Sequence, residues 1–288
     1  MSAPEKTVIG RSLGQAAWRR LRSNHAAVAA GLLLIIIVLL CVLGPWFAPW
    51  SAGHLDFDAV AMAPSASHWF GTDSVGRDLF ARTLEGGRIS LLVGIVATGV
   101  SLLIGVSYGA IAGFFGGRVD NIMMRIVDIL YALPFMFLVI LLMVFLGRHI
   151  GLIFVAIGAI NWLDMARIVR GQTLSLRQKE FIEAARVSGV APFTVIRRHV
   201  VPNLLGVVAV YITLTIPQVI LVESFLSFLG LGVQEPSTSW GALVNEGAAD
   251  METAPWSLIF PASFLALTLF CFNFIGDGLR DALDPRDR

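Results

Sequence analysis

Long apolar stretches alternate with polar ones along the 288 residues. A membrane-crossing helix needs about 20 mostly apolar residues, and six stretches meet or approach that length: 27–47, 89–115, 129–146, 150–165, 204–222 and 257–275. The pattern predicts an all-α membrane protein with six spans. Residues 1–26 form a polar N-terminal segment, 51–88 a polar loop and 224–256 a second polar segment between the fifth and sixth spans. The first run is longer than the apolar core of a signal peptide and lacks a clean cleavage site, so it reads as the first membrane helix. Pro134 sits in the first half of the third span and predicts a kink there. Residues 147–149 read as a tight turn, and Asp164, Arg167 and Arg170 as the charged end of the fourth span. The apolar run that begins at Leu204 continues to about Gly232, too long for one simple crossing. With Pro217 and Glu223 inside it, the expectation is a helix to about Val222, followed by a re-entrant or interfacial piece.

Between the fourth and fifth spans lies a charged island, 175–203, with clear local signals. Ser175 with Gln178 three residues later is a capping-box pattern that starts a helix. Phe181, Ala184, Ala185 and Ser188 share one helical face at i, i+3, i+4 and i+7. Gly189 suits the left-handed position that closes a helix, Pro192 suits the first turn of a second one, and Pro202 is expected to end that second helix before the membrane. In the second span Gly105, Gly109, Gly113 and Gly117 repeat every four residues. Small residues at that spacing let two helices approach closely in lipid.

Composition agrees with the membrane reading. The chain is 56% hydrophobic and 14% charged, with a mean hydropathy of +0.78. Its net charge of +1 is uninformative, whereas the placement of charge is not. With six spans and the N-terminus inside, 17 of the 21 Lys and Arg residues fall on the cytoplasmic side, and only Arg77, Arg82, Arg88 and Arg148 fall outside. This asymmetry is the positive-inside pattern, and it puts both termini and the island 175–203 in the cytoplasm. Cys41 and Cys271 lie in apolar runs and read as small buried hydrophobes.

No catalytic constellation is present. The only lysines, Lys6 and Lys179, follow no glycine-rich loop, so the chain has no P-loop for ATP. HExxH, GxSxG and CxxC are absent. Polar groups within spans are costly and often mark a transport path. Glu223, with Gln218 and Asn273, is the candidate set, and Glu223 reads equally as pore lining or as a helix end at the membrane interface.

Glu183-Ala184-Ala185, then Gly189, then Pro202 resemble the EAA signature of ABC importer permeases. The segments 165–172, 223–232, 240–243 and 270–285, with 71–73 and 76–78, extend the resemblance over nearly the whole chain. They place it in the oligopeptide/dipeptide/nickel branch, with the C-type subunits of oligopeptide permeases. His199 stands where the general pattern has an aliphatic residue. The resemblance implies a type I ABC importer fold of six helices and a cytoplasmic coupling loop in which Glu183, Ala184, Ala185, Gly189 and Pro202 meet an ATPase subunit. It implies a second homologous permease subunit, two ATP-binding subunits that carry ATP and magnesium, an extracytoplasmic peptide-binding protein, and a multi-pass place in the bacterial inner membrane. This chain itself would bind no cofactor, metal or nucleic acid. Import of dipeptides, glutathione or nickel chelates by the same architecture is the alternative. An intramembrane hydrolase and a non-transporting receptor are the rivals from other classes.

Overall fold

The structure, a computed structural model, describes residues 13–146 and 150–283. The turn expected at 147–149 and the ends of both termini lie outside those residues. The described residues are helical without strands, apart from one isolated bridge between Thr72 and Asp78.

Helix α1 (Leu13–Ser23) leads into α2 (His25–Phe47), which Asn24 caps by accepting the Ala27 N–H at 3.1 Å. The buried positions of α2 are Ala27, Ala30, Ile37, Cys41 and Gly44, spaced by threes, fours and sevens. This is the seam by which a helix packs on neighbours. The outward positions Leu32, Ile35, Ile36 and Leu39 are exposed and wholly apolar.

Helix α3 (Leu79–Phe115) starts ten residues before the predicted span because Asp78 caps it, accepting the Ala81 N–H at 2.8 Å. Its first turns sit under the preceding loop. There Asp73 accepts from the Val75 and Arg77 backbone N–H groups and from the Arg77 and Arg82 side chains. Gly71 and Gly76 hold left-handed conformations (φ 77° and 85°) in that loop. Much of the "polar loop" 51–88 is therefore a packed cap, closed from the other side by α10 (Trp240–Ala249).

Gly105, Gly109 and Gly113 all face α6 (Ile150–Arg177), which runs parallel to α3. A Cβ at Gly105 would stand 2.6 Å from Met165 Cβ, and one at Gly113 would stand 2.7 Å from Thr173 Cβ. The close approach is thus made within the chain. Gly117 does not belong to that stripe: its site is open, its φ is +56°, and it begins α4 (Gly117–Ala132) after the reversal at Gly116.

The predicted third span is broken. Helix α4 ends at Ala132, Leu133 is extended (ψ 133°), and α5 (Phe135–Leu146) starts after Pro134. Proline forces its predecessor out of the helical region, so Pro134 separates two helices where a kink was expected. The fourth span is corrected too. Helix α6 continues past Arg170 to Arg177, which makes Asp164 the fifteenth of its 28 residues. Ser175 lies inside this helix and hydrogen-bonds to its own turn, so the capping box does not form.

Helix α7 (Glu180–Val187) follows at once, and α8 (Pro192–Val195) leads through one wide π turn, Ile196–Val200, into α9 (Val201–Phe228). Pro202 does not end the second helix. It has no N–H and its ring would press on the carbonyl four residues back. The π turn, in which the Val201 N–H reaches Ile196 O, opens the backbone around it. Helix α9 then passes through Pro217 and Glu223 without the predicted break at Val222. Helix α11 (Trp256–Leu283) closes the bundle against α2, α9 and α10. Among the described residues, four helices are long and apolar enough to cross a membrane: 25–47, 79–115, 192–228 and 256–283.

Candidate coupling face and polar path

Four groups of residues carry chemistry, one at each end of the bundle and two between them.

At the first end, α7 is tied to the bundle by Ile182, fully buried, and by the partly buried Ala185, both packed on a cluster formed by α3, α6 and α9. Arg186 donates to Phe114 O at 3.3 Å and lies over the Phe114 ring at 4.4 Å. Arg177 donates to the Phe114 and Phe115 carbonyls, so two cations cap the C-terminus of α3. Gly189 closes α7 at φ +74°. Its N–H reaches Arg186 O and the Val190 N–H reaches Ala185 O, each near 3 Å, a complete Schellman closure. The opposite arc of α7 is free: Phe181, Glu183, Ala184, Val187 and Ser188 are exposed, with Phe193 of α8 beside them. Of the small-residue stripe read from the sequence, Ala185 therefore turns inward, and Val187, 84% exposed, takes its place on the open arc. Pro202 is exposed at the start of α9.

At the other end, Arg82 is almost completely buried. It donates to Asp73 at 2.7 Å and to both carboxylate oxygens of Glu246, at 2.6 and 3.1 Å. Arg77 joins Asp73, Glu246 and Glu235. Its hydrogen bond and charge hold the Glu235 carboxyl below the usual carboxylate range. His68 is buried against Asp78, at 2.9 Å, and stacked on Trp50.

Glu223 has no exposed surface. Ser227 donates to one of its oxygens at 2.7 Å and Ser90 to the other at 3.0 Å. Ser239 donates to Ser227 Oγ at 3.2 Å, and the Trp240 N–H to Ser90 Oγ at 3.2 Å. The carboxyl thus pins α3, α9 and the start of α10 together from within α9, between one and two turns before the helix ends at Phe228. No local pattern points to these serines, which lie up to 133 positions away.

Gln218 is exposed on a different face of α9. With Val222 it lines a cavity of about 360 Å³, together with Leu130, Tyr131 and Leu133 of the α4–α5 junction and Asn161 and Asp164 of α6. Tyr131 donates to Asp164, Arg167 lies 4.2 Å over the Tyr131 ring, and Arg167 also donates to Asp128 at 2.8 Å. Asp164 and Arg167, three residues apart on α6, thus take separate hydrogen-bond partners. Closer to the α7 end, Arg170 holds Asp120 with two hydrogen bonds. Asn273 donates only to Leu269 of its own helix among its described contacts and does not line that cavity. The three residues Glu223, Gln218 and Asn273 are therefore not brought together.

Comparison with known proteins agrees with this architecture. Residues 105–288 match the family model described as binding-protein-dependent transport system inner membrane component, and residues 12–64 match the N-terminal transmembrane domain of oligopeptide transport permease C. The chain is 58% identical to the oligopeptide transport system permease protein OppC of Haemophilus influenzae, over 99% of this chain and 92% of that one. It is 48% identical to the dipeptide transport system permease protein DppC of Bacillus subtilis, over 96% and 87%. Among solved structures, an inward-facing MetNI methionine ABC transporter shares the fold, with a TM-score of 0.58 at 17% identity, covering 70% of this chain and 95% of that one. The chain is a member of the family of binding-protein-dependent transport system inner membrane components.

Proposed function

We propose that this chain is one of two permease subunits of an ATP-driven importer of oligopeptides. The carrying observation is the 58% identity with an oligopeptide permease subunit across 99% of the chain. In this reading six segments cross the inner membrane: α2, α3, the α4–α5 pair, α6, α8–α9 and α11. Both termini and α7 are cytoplasmic, in keeping with the gathering of Arg118, Arg125, Arg170, Arg177, Lys179, Arg186, Arg197, Arg198 and Arg280 toward one side. A second homologous permease subunit completes the path, and an extracytoplasmic binding protein delivers peptide to the α10 end. ATP and magnesium reside on two separate ATPase subunits, because no P-loop is written in this sequence.

The exposed arc of α7, with Glu183, Ala184 and Val187, is the face that an ATPase subunit grips. Gly189 fixes its angle. The helix from Pro192 to Phe228 runs through Pro202 as one rod, so a push on α7 and α8 moves α9. Glu223 passes that movement to α3 and α10 through Ser90, Ser227 and Ser239. Two kinds of exposed surface separate the lipid side from the path. The outward face of α2 from Val28 onward is wholly apolar, as lipid requires, while α4 and α6 expose Asp128, Tyr131, Asp164 and Arg167, with Asn161 half-buried beside them. Charged side chains at membrane depth face a partner or an aqueous path.

Co-expression with candidate partner subunits tests the assignment. A complex with two ATPase subunits and a second permease, whose ATP hydrolysis rises when peptide-loaded binding protein is added, is the expected result. A chain that purifies alone, with no partner retained, would overturn it.

A further inference from the structure

Resting on that reading, we infer that the cavity between the α4–α5 break, α6 and α9 is a halfway site for the amino-terminal ammonium of the transported peptide, with Asp164 as its counter-ion and Asn161 and Gln218 as partners for peptide amides.

Depth is the first argument. Gly105 of α3 stands against Trp162 and Met165, the neighbours of Asp164. Gly105 is eleven residues before Gly116 at the end of α3, a distance of about 16 Å at 1.5 Å per residue, or close to half of a hydrocarbon core about 30 Å thick. Asp164 is exposed at that depth. An exposed carboxylate cannot face lipid there without a large penalty, so its face of the bundle borders water or another polar molecule.

The backbone supplies a second, independent argument. The helix pair α4–α5 is interrupted at Leu133–Pro134, and Leu130, Tyr131 and Leu133 around the break all line the cavity. Irregular backbone at membrane depth is tolerated where it lines a cavity, and broken helices near the midplane mark substrate sites in other transporters.

The lining chemistry then selects the ligand. Asp164 accepts one hydrogen bond, from Tyr131, and a carboxylate has room for several more. The Asn161 amide donates to Ile157 O at 2.9 Å, which leaves its oxygen as an acceptor for a peptide N–H. Gln218 is exposed into the cavity with both a donor and an acceptor to offer. One anion beside two primary amides, on walls otherwise made of Leu, Val and Tyr131, matches a cationic amine followed by peptide groups and is indifferent to side-chain identity. The volume of about 360 Å³ lies within the range of small-ligand sites, roughly 300–1,000 Å³. The neighbouring cations are already engaged: Arg167 by Asp128 and the Tyr131 ring, and Arg170 by Asp120. Arg167 acts on Asp164 through its charge alone and donates its hydrogen bond to Asp128, so the Asp164 oxygens keep room for the hydrogen bonds of an incoming amine.

The test uses the assembled complex in proteoliposomes and one peptide in two forms, with a free and with an acetylated N-terminus. The affinity of the isolated binding protein for each form is measured separately and divided out. Asp164→Asn should lower import of the free-amine peptide about tenfold or more, the scale of a lost charge-assisted contact, and barely alter the acetylated form. Asp164→Glu should restore the preference. Independently, Gln218→Cys should capture a peptide whose cysteine is activated as its 2-pyridyl disulfide, its thiolate attacking the peptide sulfur and expelling 2-thiopyridone during ATP turnover, whereas Leu40→Cys, on the apolar face of α2, should not; the native Cys41 and Cys271 are buried. Equal import of both forms by Asp164→Asn and the unaltered chain, or an equal loss of both forms, would overturn the proposal. So would absence of capture at Gln218→Cys, including the case in which a basic residue of the partner permease fills the cavity. An unaltered complex that imports no peptide would instead overturn the import reading itself, and this proposal with it.

Discussion

Replacing Gly189 with valine perturbs one backbone angle and little else. The glycine has φ +74°, and a Cβ built on it meets nothing within 4 Å. The cost is therefore conformational: about 1–2 kcal/mol for an L-residue in the left-handed region, and toward the top of that range for a β-branched one. Helix α7 has only eight residues, so its pose depends on Ile182, Arg186 and this closure. A penalty of 1–2 kcal/mol lowers the population of the closed pose by a factor of roughly 5–30. A full switch from 1:99 to 99:1 needs about 5.5 kcal/mol of differential interaction, so the loss removes a sizeable share of what drives transport. Uptake by Gly189→Val in proteoliposomes should fall about 5–30-fold, while the chain still reaches the membrane and the ATPase subunits still hydrolyse ATP. Gly189→Asn is the control, because asparagine tolerates the left-handed region, and it should retain most uptake. A Val187→Cys crosslink to the ATPase subunit reads the pose directly and should fade with valine at 189 but persist with asparagine. Equal uptake and equal crosslinking in both variants would refute the reasoning.

The two faces of α7 predict different failures. Val187→Asp, on the open arc, should weaken ATPase co-purification without lowering the thermal stability of the chain, whereas Ala185→Asp should lower stability by about 1–3 kcal/mol through an unpaired polar group in the cluster beneath. Gly113→Leu should abolish accumulation of folded chain, read by detergent gel filtration, because its side chain would overlap Thr173 of α6 and overpacking costs about 1–3 kcal/mol or more. Arg82→Ala should destabilise the α10 end by roughly 1.5–3 kcal/mol, since it removes one of the two arginines on the buried Asp73 and leaves Glu246 without its closest partner; unchanged melting would count against that network. Glu223→Gln should keep uptake near the original level, and Glu223→Ala should lose both stability and binding-protein-stimulated ATP hydrolysis. A normal Glu223→Ala variant would show that the serine network transmits nothing.

Local backbone chemistry was legible in the sequence. Gly189 and Pro192 occupy the positions their φ preferences dictate, and the glycine spacing of α3 marks its close neighbour. What depends on tertiary packing was not. In α2 the lipid-facing and protein-facing positions are equally apolar, so its seam at Ala27, Ala30, Ile37 and Cys41 appears only in the structure. Pro202 reads as a helix end until a π turn absorbs it. Glu223 reads equally as pore lining or as a helix end because a carboxyl in an apolar run looks costly, and the hydroxyls that satisfy it come from residues 90 and 227, the first of them on another helix. Asp164 looked like the charged end of a span because Arg167 and Arg170 follow it, yet α6 continues another two turns beyond Arg170 and places the carboxylate in the middle.

Uptake of a radiolabelled peptide tests the central claim most directly. The chain, its partner permease and two ATPase subunits are reconstituted in proteoliposomes with ATP enclosed and binding protein outside. Accumulation above the external concentration, dependent on both ATP and binding protein, is the predicted result. Accumulation that is absent, or that proceeds equally without ATP, would contradict the account.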